Sequence, residues 1–341
     1  MNTAYDLTAA TPALRKCSRC GLASTDNRRV LRKCRGCLAA PVYCSKECQR
    51  ADWPIHKLSC TGLSKNRRDF VSTGFERSAQ SVGYQTSGDL VKALYEFLDA
   101  HEWAFETSMM AHAILTHGVN LSDHPRDQIL RCRLACTSVP NTGHGYNPAQ
   151  GFRIVEFTYH SVESWIKGDL GTGVEYPDLG KVFTEGWKAA HEKFSARQKG
   201  VGCDHYVGLR AVGFTVDGVP ASSIQFMPVY AVTDDTLPSI RGDARIALED
   251  LLSFCTRSIN SGQFVLKRPI PPRKDIGPWE AVPGRFLRRE QNWIWEPLFE
   301  DWRDYQSGRV EFPALSVALT GLKTPPHVSM FLFRALWFHW C

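Results

Sequence analysis

No window of the 341-residue chain reaches eighteen consecutive apolar residues, the length that a bilayer-crossing helix requires. The nearest approach, Met330 to Cys341, is short and carries Arg334 and His339. Met1 to Lys16 lack the basic start and apolar block of a secretory signal. There is no G-x-S-x-G elbow, no H-E-x-x-H pair and no Walker loop. Internal repeats and low-complexity tracts are absent as well. Beyond residue 60 the cysteines are few: Cys132, Cys136, Cys203, Cys255 and Cys341 are scattered, odd in number and without paired spacing. That pattern argues against a secreted disulfide scaffold and for an intracellular, reducing compartment, without separating nucleus from cytoplasm. The expectation is a protein with no membrane partner.

What the chain does hold is metal-ligand chemistry at one end. Seven of its twelve cysteines lie between Cys17 and Cys60. They read C-x2-C (Cys17, Cys20), thirteen residues, C-x2-C (Cys34, Cys37), six residues, C-x3-C (Cys44, Cys48), seven residues, and H-x3-C (His56, Cys60). Eight donors in four close pairs match two tetrahedral zinc ions. So short a segment cannot hold itself folded by a hydrophobic core, so metal must supply most of its stability. Both shells are full, which leaves no open position for catalysis and makes the zinc structural. Cys44/Cys48 and His56/Cys60 are each four apart, the spacing of one face of a short helix, with Ser45 and Pro54 suited to first turns. Spacing alone leaves two assignments open, one sequential and one interleaved.

From Tyr43 the chain reads Y-C-S-K-E-C-Q-R-A-D-W-P-I-H-K-L-S-C. Together with the two C-x2-C knuckles this resembles the MYND-type zinc finger, with Tyr43, Cys44, Ser45, Cys48, Gln49, Trp53, His56, Lys57 and Cys60 at the signature positions. The resemblance covers residues 17–60. It implies a cross-braced fold with little regular secondary structure and the interleaved assignment: Cys17, Cys20, Cys44 and Cys48 on a first zinc, Cys34, Cys37, His56 and Cys60 on a second. It also implies a docking module for short, proline-rich peptides of a protein partner, with Gln49 and Trp53 bordering the groove. An indole offers proline a flat stacking face, and an amide can bond an extended backbone. Arg35, between the second pair of knuckle cysteines, is bulky enough to narrow that groove. The thirteen residues between the knuckles imply a longer surface loop at Gly21–Lys33.

Charge is unevenly spread. Residues 1–70 hold fourteen basic against five acidic residues, and the remainder holds 27 against 30. Seven thiolates around two divalent ions lower the N-terminal balance but leave it positive. That leaves nucleic-acid binding open as a less favoured partner class.

The expected organisation is a flexible tail at 1–16, the finger at 17–60, a linker at 61–87 and an α+β domain at 88–341. Leu90, Leu94, Phe97 and Leu98 predict a helix with Ser87 and Asp89 as candidate caps, continuing after a break towards His117. Leu130 to Cys136 and Phe152 to Tyr159 predict strands. Phe183, Trp187, Ala190 and Phe194 predict a helix after Pro177-Asp178, and Ala244 to Cys255 another. A hairpin is expected over Tyr206–Val216 and Ser222–Val232, with Asp217-Gly218 in a type I′ turn and Pro220 marking a frayed or edge start. Glu290–Gln306 is expected to be helical.

Other functional signals are weak. A SET-type lysine methyltransferase carrying this finger needs a SET segment before it and an Asn-His cofactor motif. Only sixteen residues precede Cys17, and the chain has no Asn-His dipeptide. Gly143-His144-Gly145 reads as a turn, Cys203 and His205 as a buried thiol and a strand-end histidine. His112 and His117, five apart, are poorly spaced for one helical face. Six of ten tryptophans fall between Trp279 and Trp340, read as core packing of a closing helix. The alternative to an adaptor is an enzyme of unknown chemistry in residues 88–341 with the finger as its targeting arm.

Overall fold

A computed structural model describes residues 17–20, 31–34, 42–59, 74–118, 125, 127–137, 146–167, 183–188, 190–192, 194–195, 206–230, 242–268, 280–290, 292–306 and 311–338. The expected tail at 1–16, Arg35, most of the Gly21–Lys33 loop, Gly143–Gly145 and Cys203–His205 fall outside them. In chain order the elements are β1 (Arg32–Lys33), β2 (Val42–Tyr43), α1 (Lys46–Ser59), α2 (Glu76–Ser81), α3 (Ser87–Ala100) and α4 (Glu102–His117). Then come β3 (Gln128–Cys136), β4 (Phe152–Ser161), α5 (Val162–Lys167), β5 (Tyr206–Val216), β6 (Val219–Tyr230) and α6 (Gly242–Ser261). The last are β7 (Val265–Lys267), β8 (Val282–Arg289), β9 (Asn292–Pro297), α7 (Trp302–Gln306), α8 (Pro313–Leu319) and α9 (Pro326–Phe338). No described helix is long and apolar enough to cross a membrane.

The chain divides into two units, the first built from 1–100, 138–151 and 285–296 and the second from 101–137, 152–284 and 297–341. In the first unit α3 buries Leu90, Leu94, Phe97 and Leu98, the stripe its 3.6-residue period predicts. Its cap is not Ser87 but Thr86, whose hydroxyl accepts the Asp89 N–H at 3.1 Å, while Asp89 accepts from the same hydroxyl at 2.7 Å. Both bonds run through the Thr86 hydroxyl, so the Asp89 N–H is the helix donor it satisfies, and the Ser87 N–H donates to the Glu76 carboxylate at 3.0 Å. Glu76 belongs to α2, which lies inside the stretch expected to be a linker and buries Ala79.

The helix expected over Glu290–Gln306 does not form. β8 and β9 are adjacent strands, and Glu290, at φ 52°, takes the left-handed conformation between them. Asn292–Pro297 is the strand β9, and only Trp302–Gln306 is helical. Trp293, Ile294 and Trp295 are bulky residues that fit a pleated surface, and Pro297 cannot continue a helix. Arg288 stacks over the Trp293 ring at 5.7 Å, and Arg289 pairs with Glu296 at 2.8 Å.

The second unit is organised by a four-stranded sheet of order β4-β3-β5-β6. β3 and β4 pair antiparallel, as do β5 and β6, and the two pairs join through parallel β3 and β5. Trp165, Phe183, Ile129 and Ala211 form a buried cluster on one face, with Trp187 and Phe226 packed against it. Gly213 is essential to that cluster, because a Cβ there would overlap the Trp165 ring.

The β5–β6 turn differs from expectation. Positive φ occurs at Gly218 (72°) and not at Asp217, so the turn is not type I′. Asp217 is held from two sides: its N–H donates to Leu134 O at 2.8 Å, and its carboxylate accepts from Arg133 at 2.9 Å. Pro220 falls in β6, at a register shift on an edge strand, where its missing N–H costs no ladder bond.

Polar side chains tie the long helix α6 to its neighbours. Asn260 exchanges two bonds with the Ile154 backbone at 2.7 and 3.1 Å, and Asp250 accepts the Lys323 and Thr324 N–H groups at 2.9 and 2.7 Å. Trp302 is a core residue, as read from sequence: it is buried, touches Phe254 and Phe299, and donates to Ala281 O at 3.0 Å.

Candidate metal centre

Three local devices bring the knuckle cysteines together. The β1–β2 ribbon pairs Arg32 with Tyr43 and Lys33 with Val42. Ser18 fastens the first knuckle to that ribbon, its N–H donating to Val42 O at 2.8 Å and its hydroxyl accepting from Val42 N at 3.2 Å. Ser45 caps α1 as expected, accepting the Cys48 N–H at 3.2 Å. Two short helices were expected here; instead α1 runs unbroken for 14 residues with Pro54 inside it. The Tyr43 hydroxyl donates to Asp52 at 2.7 Å, which pins the middle of the helix to β2 and offsets the bond that proline removes.

The sulfurs of Cys17, Cys20, Cys44 and Cys48 all lie within 4.8 Å of one another. Cys20 and Cys44 are 3.6 Å apart, Cys44 and Cys48 3.5 Å. Tetrahedral zinc with bonds of about 2.3 Å places its sulfurs about 3.8 Å apart, so the cluster has the size and the donor set of a four-cysteine zinc shell. Its electrostatics ask for a cation. Burial raises the Cys17 pKa, but backbone N–H groups of Cys20, Cys44 and Arg19 outweigh it and bring it down to about 6. Cys44, hydrogen-bonded to Cys48 and Cys20, is pushed up to about 12. Four thiolates this close repel one another unless a divalent ion shares them.

Of the other four predicted ligands, Cys34 and His56 are described and buried, at 5% and 4% exposure. Cys37 lies outside the described residues, as does Cys60. Cys34 packs in one cluster with Cys17 and Tyr43, and the His56 ring centre is 6.3 Å from that of Tyr43. Burial lowers the His56 pKa against the opposing pull of Asp52, so the imidazole is neutral at pH 7, the form that binds metal. Gln49 is half-buried on α1. Trp53 is 38% exposed, so it does not simply fill the small core; its ring meets His56 edge-on at 5.6 Å. Sequence reasoning missed Ser18 and Asp52, whose roles depend on partners 24 and 9 residues away.

Residues 17–60 match the model of the MYND finger family. The class defined by this segment is thus the MYND-type zinc finger, a zinc-binding module whose general role is protein–protein interaction. Among curated proteins, the chain is similar to the SET domain and MYND-type zinc finger protein 6 of Schizosaccharomyces pombe, 40% identical over 57 residues. That match covers 17% of this chain and 11% of the relative. No solved structure matches the chain.

Proposed function

We propose that the finger is a two-zinc docking module through which this protein recruits a partner carrying a short, proline-rich peptide. Its first zinc is held by Cys17, Cys20, Cys44 and Cys48, its second by Cys34, Cys37, His56 and Cys60. Convergence of the first four sulfurs within 4.8 Å is the observation that carries this reading. It favours interleaving, because Cys17 and Cys20 meet Cys44 and Cys48 and not only their neighbours in sequence. The zinc ions supply structure: they clamp β1, β2 and α1 into one unit that has little apolar core.

Gln49 and Trp53 form the docking face. A half-exposed indole braced on a buried imidazole presents a fixed apolar plane, and proline stacks on such a plane with little ordering cost. Gln49, one helical turn before Trp53, bonds the peptide backbone. In this reading the finger at 17–60 serves an α+β body at 88–341, and the protein works as an intracellular adaptor.

An array of proline-rich peptides probed with the full chain and with Trp53→Ala tests the reading. The expected outcome is a set of peptides bound by the native chain and lost, by about tenfold or more in affinity, in the variant. Equal binding by both removes Trp53 from the groove.

A further inference from the structure

The outer face of α1 carries charge as well as the Trp53 indole. At about 100° per residue, Lys46, Gln49, Arg50, Trp53 and Lys57 fall within one arc of about 100° around the helix. Lys46, Arg50, Trp53 and Lys57 are exposed, and Gln49 is half-buried beside them. The four exposed positions follow the i, i+4, i+7, i+11 spacing of a single stripe. Trp53 therefore stands in a row of three cations, with Arg50 about one turn before it and Lys57 about one turn after.

Neither acidic residue of α1 shares that row. Asp52 lies on one flank and accepts from the Tyr43 hydroxyl at 2.7 Å. Glu47 lies on the other, where its own backbone N–H and the Ser45 hydroxyl are the first groups to hold its carboxylate. Among the described residues, no ion pair involves Lys46, Arg50 or Lys57. The cations also face away from the first metal shell, since Cys48 is about 140–180° around the helix from all four exposed positions. Their charge is left for something outside the finger.

Gln49 and Trp53 are spaced along the helix axis, so a peptide that touches both runs along the stripe. Arg50 and Lys57 lie about 4.5 and 6 Å from Trp53 in that direction. An extended or polyproline segment advances about 3.1–3.3 Å per residue, so each cation comes level with a position about one or two residues from the stacked proline. We infer that the segment docked in this way is acidic as well as proline-rich, with Asp or Glu on both sides of the proline that stacks on Trp53, an inference that rests on the docking reading above. Trp53 supplies the anchor, and Arg50 and Lys57 select for charge and speed the encounter. Nucleic acid offers negative charge without a proline, and the test separates the two.

The test uses the full zinc-loaded chain and each proline-rich peptide of the array in three versions, with Glu, Gln or Lys at the flanking positions. At about 50 mM sodium chloride the Glu version should bind about fivefold tighter than the Gln version, and the Lys version should bind weakest. The margin should fall to about twofold or less at about 0.5 M, where exposed charges are screened within a few ångströms. In Arg50→Gln/Lys57→Gln, shown to hold as much zinc as the native chain, the Glu and Gln versions should bind alike. Equal binding of the two versions to the native chain overturns the inference and leaves the docking reading standing, whereas no binding of any version overturns both. A preference for Glu that survives in the double variant also overturns it, because the charge is then read elsewhere. So does a single-stranded or duplex oligonucleotide that displaces the labelled Glu peptide at lower concentration than the unlabelled peptide does, which would assign the stripe to nucleic acid.

Discussion

The Trp53 indole stands edge-on to the His56 imidazole, 5.6 Å between ring centres and 65° between planes, with the histidine 4% exposed and the tryptophan 38%. One helical step of three residues thus turns a candidate metal ligand inward and a flat apolar surface outward. If Trp53 serves the face and not the core, Trp53→Ala keeps its metal. Zinc content per chain should match that of the native protein, with stability reduced by no more than about 1 kcal/mol. Loss of zinc from this variant would make the indole a structural part of the finger.

The interleaved assignment has its own signature. In Cys44→Ser the first shell is broken, and the zinc that remains should sit among three sulfurs and one imidazole nitrogen. A sequential arrangement would instead leave four sulfurs. X-ray absorption at the zinc edge of the variant separates the two, because Zn–N and Zn–S bonds differ by about 0.2–0.3 Å. An all-sulfur residual site contradicts the account.

In the second unit, Gly213 lets the Trp165 ring lie directly on β5. Gly213→Ala should destabilise the protein by about 1–3 kcal/mol, the usual cost of overpacking a filled core. Urea denaturation measures it. Adding Trp165→Leu to the same chain should recover part of the loss, since the smaller side chain makes room for the new methyl. An unchanged midpoint in the single variant would show that the sheet yields there.

Acid sensitivity follows from the buried histidines. Burial, followed by the charges of His117 and Arg210, holds the His112 pKa below its ordinary value of 6.5. The unfolded chain therefore binds more protons than the folded one once the pH falls below about 6.5, and stability declines with falling pH until the folded-state pKa is reached. Denaturation midpoints at about pH 7.5 and 5.5 should separate less in His112→Asn than in the native chain. Parallel profiles would mean that His112 carries none of the effect.

Much of the finger can be read in the sequence, because metal ligands impose fixed spacing and fixed residue types. What could not be read there depends on contacts between distant segments. Pro54 signals a break, yet α1 passes through it, because the Tyr43–Asp52 bond secures the helix from a neighbouring strand. Thr86, not Ser87, caps α3, because its hydroxyl accepts the Asp89 N–H, while the Ser87 N–H is held by Glu76 of α2. His112 and His117 do not lie on one helical stripe, and they meet only because both reach the same tyrosine on β4. The strands β3, β4 and β5 were legible in the sequence, β3 from its alternation and β5 from the Asp217-Gly218 turn that follows it; the parallel join of β3 to β5 was not, since no local pattern encodes which strand lies beside which.

The measurement that bears most directly on the central claim is the zinc content of the full chain purified without chelator. The account predicts two zinc ions per chain, both released only when the finger unfolds. One ion per chain, or none, would contradict it.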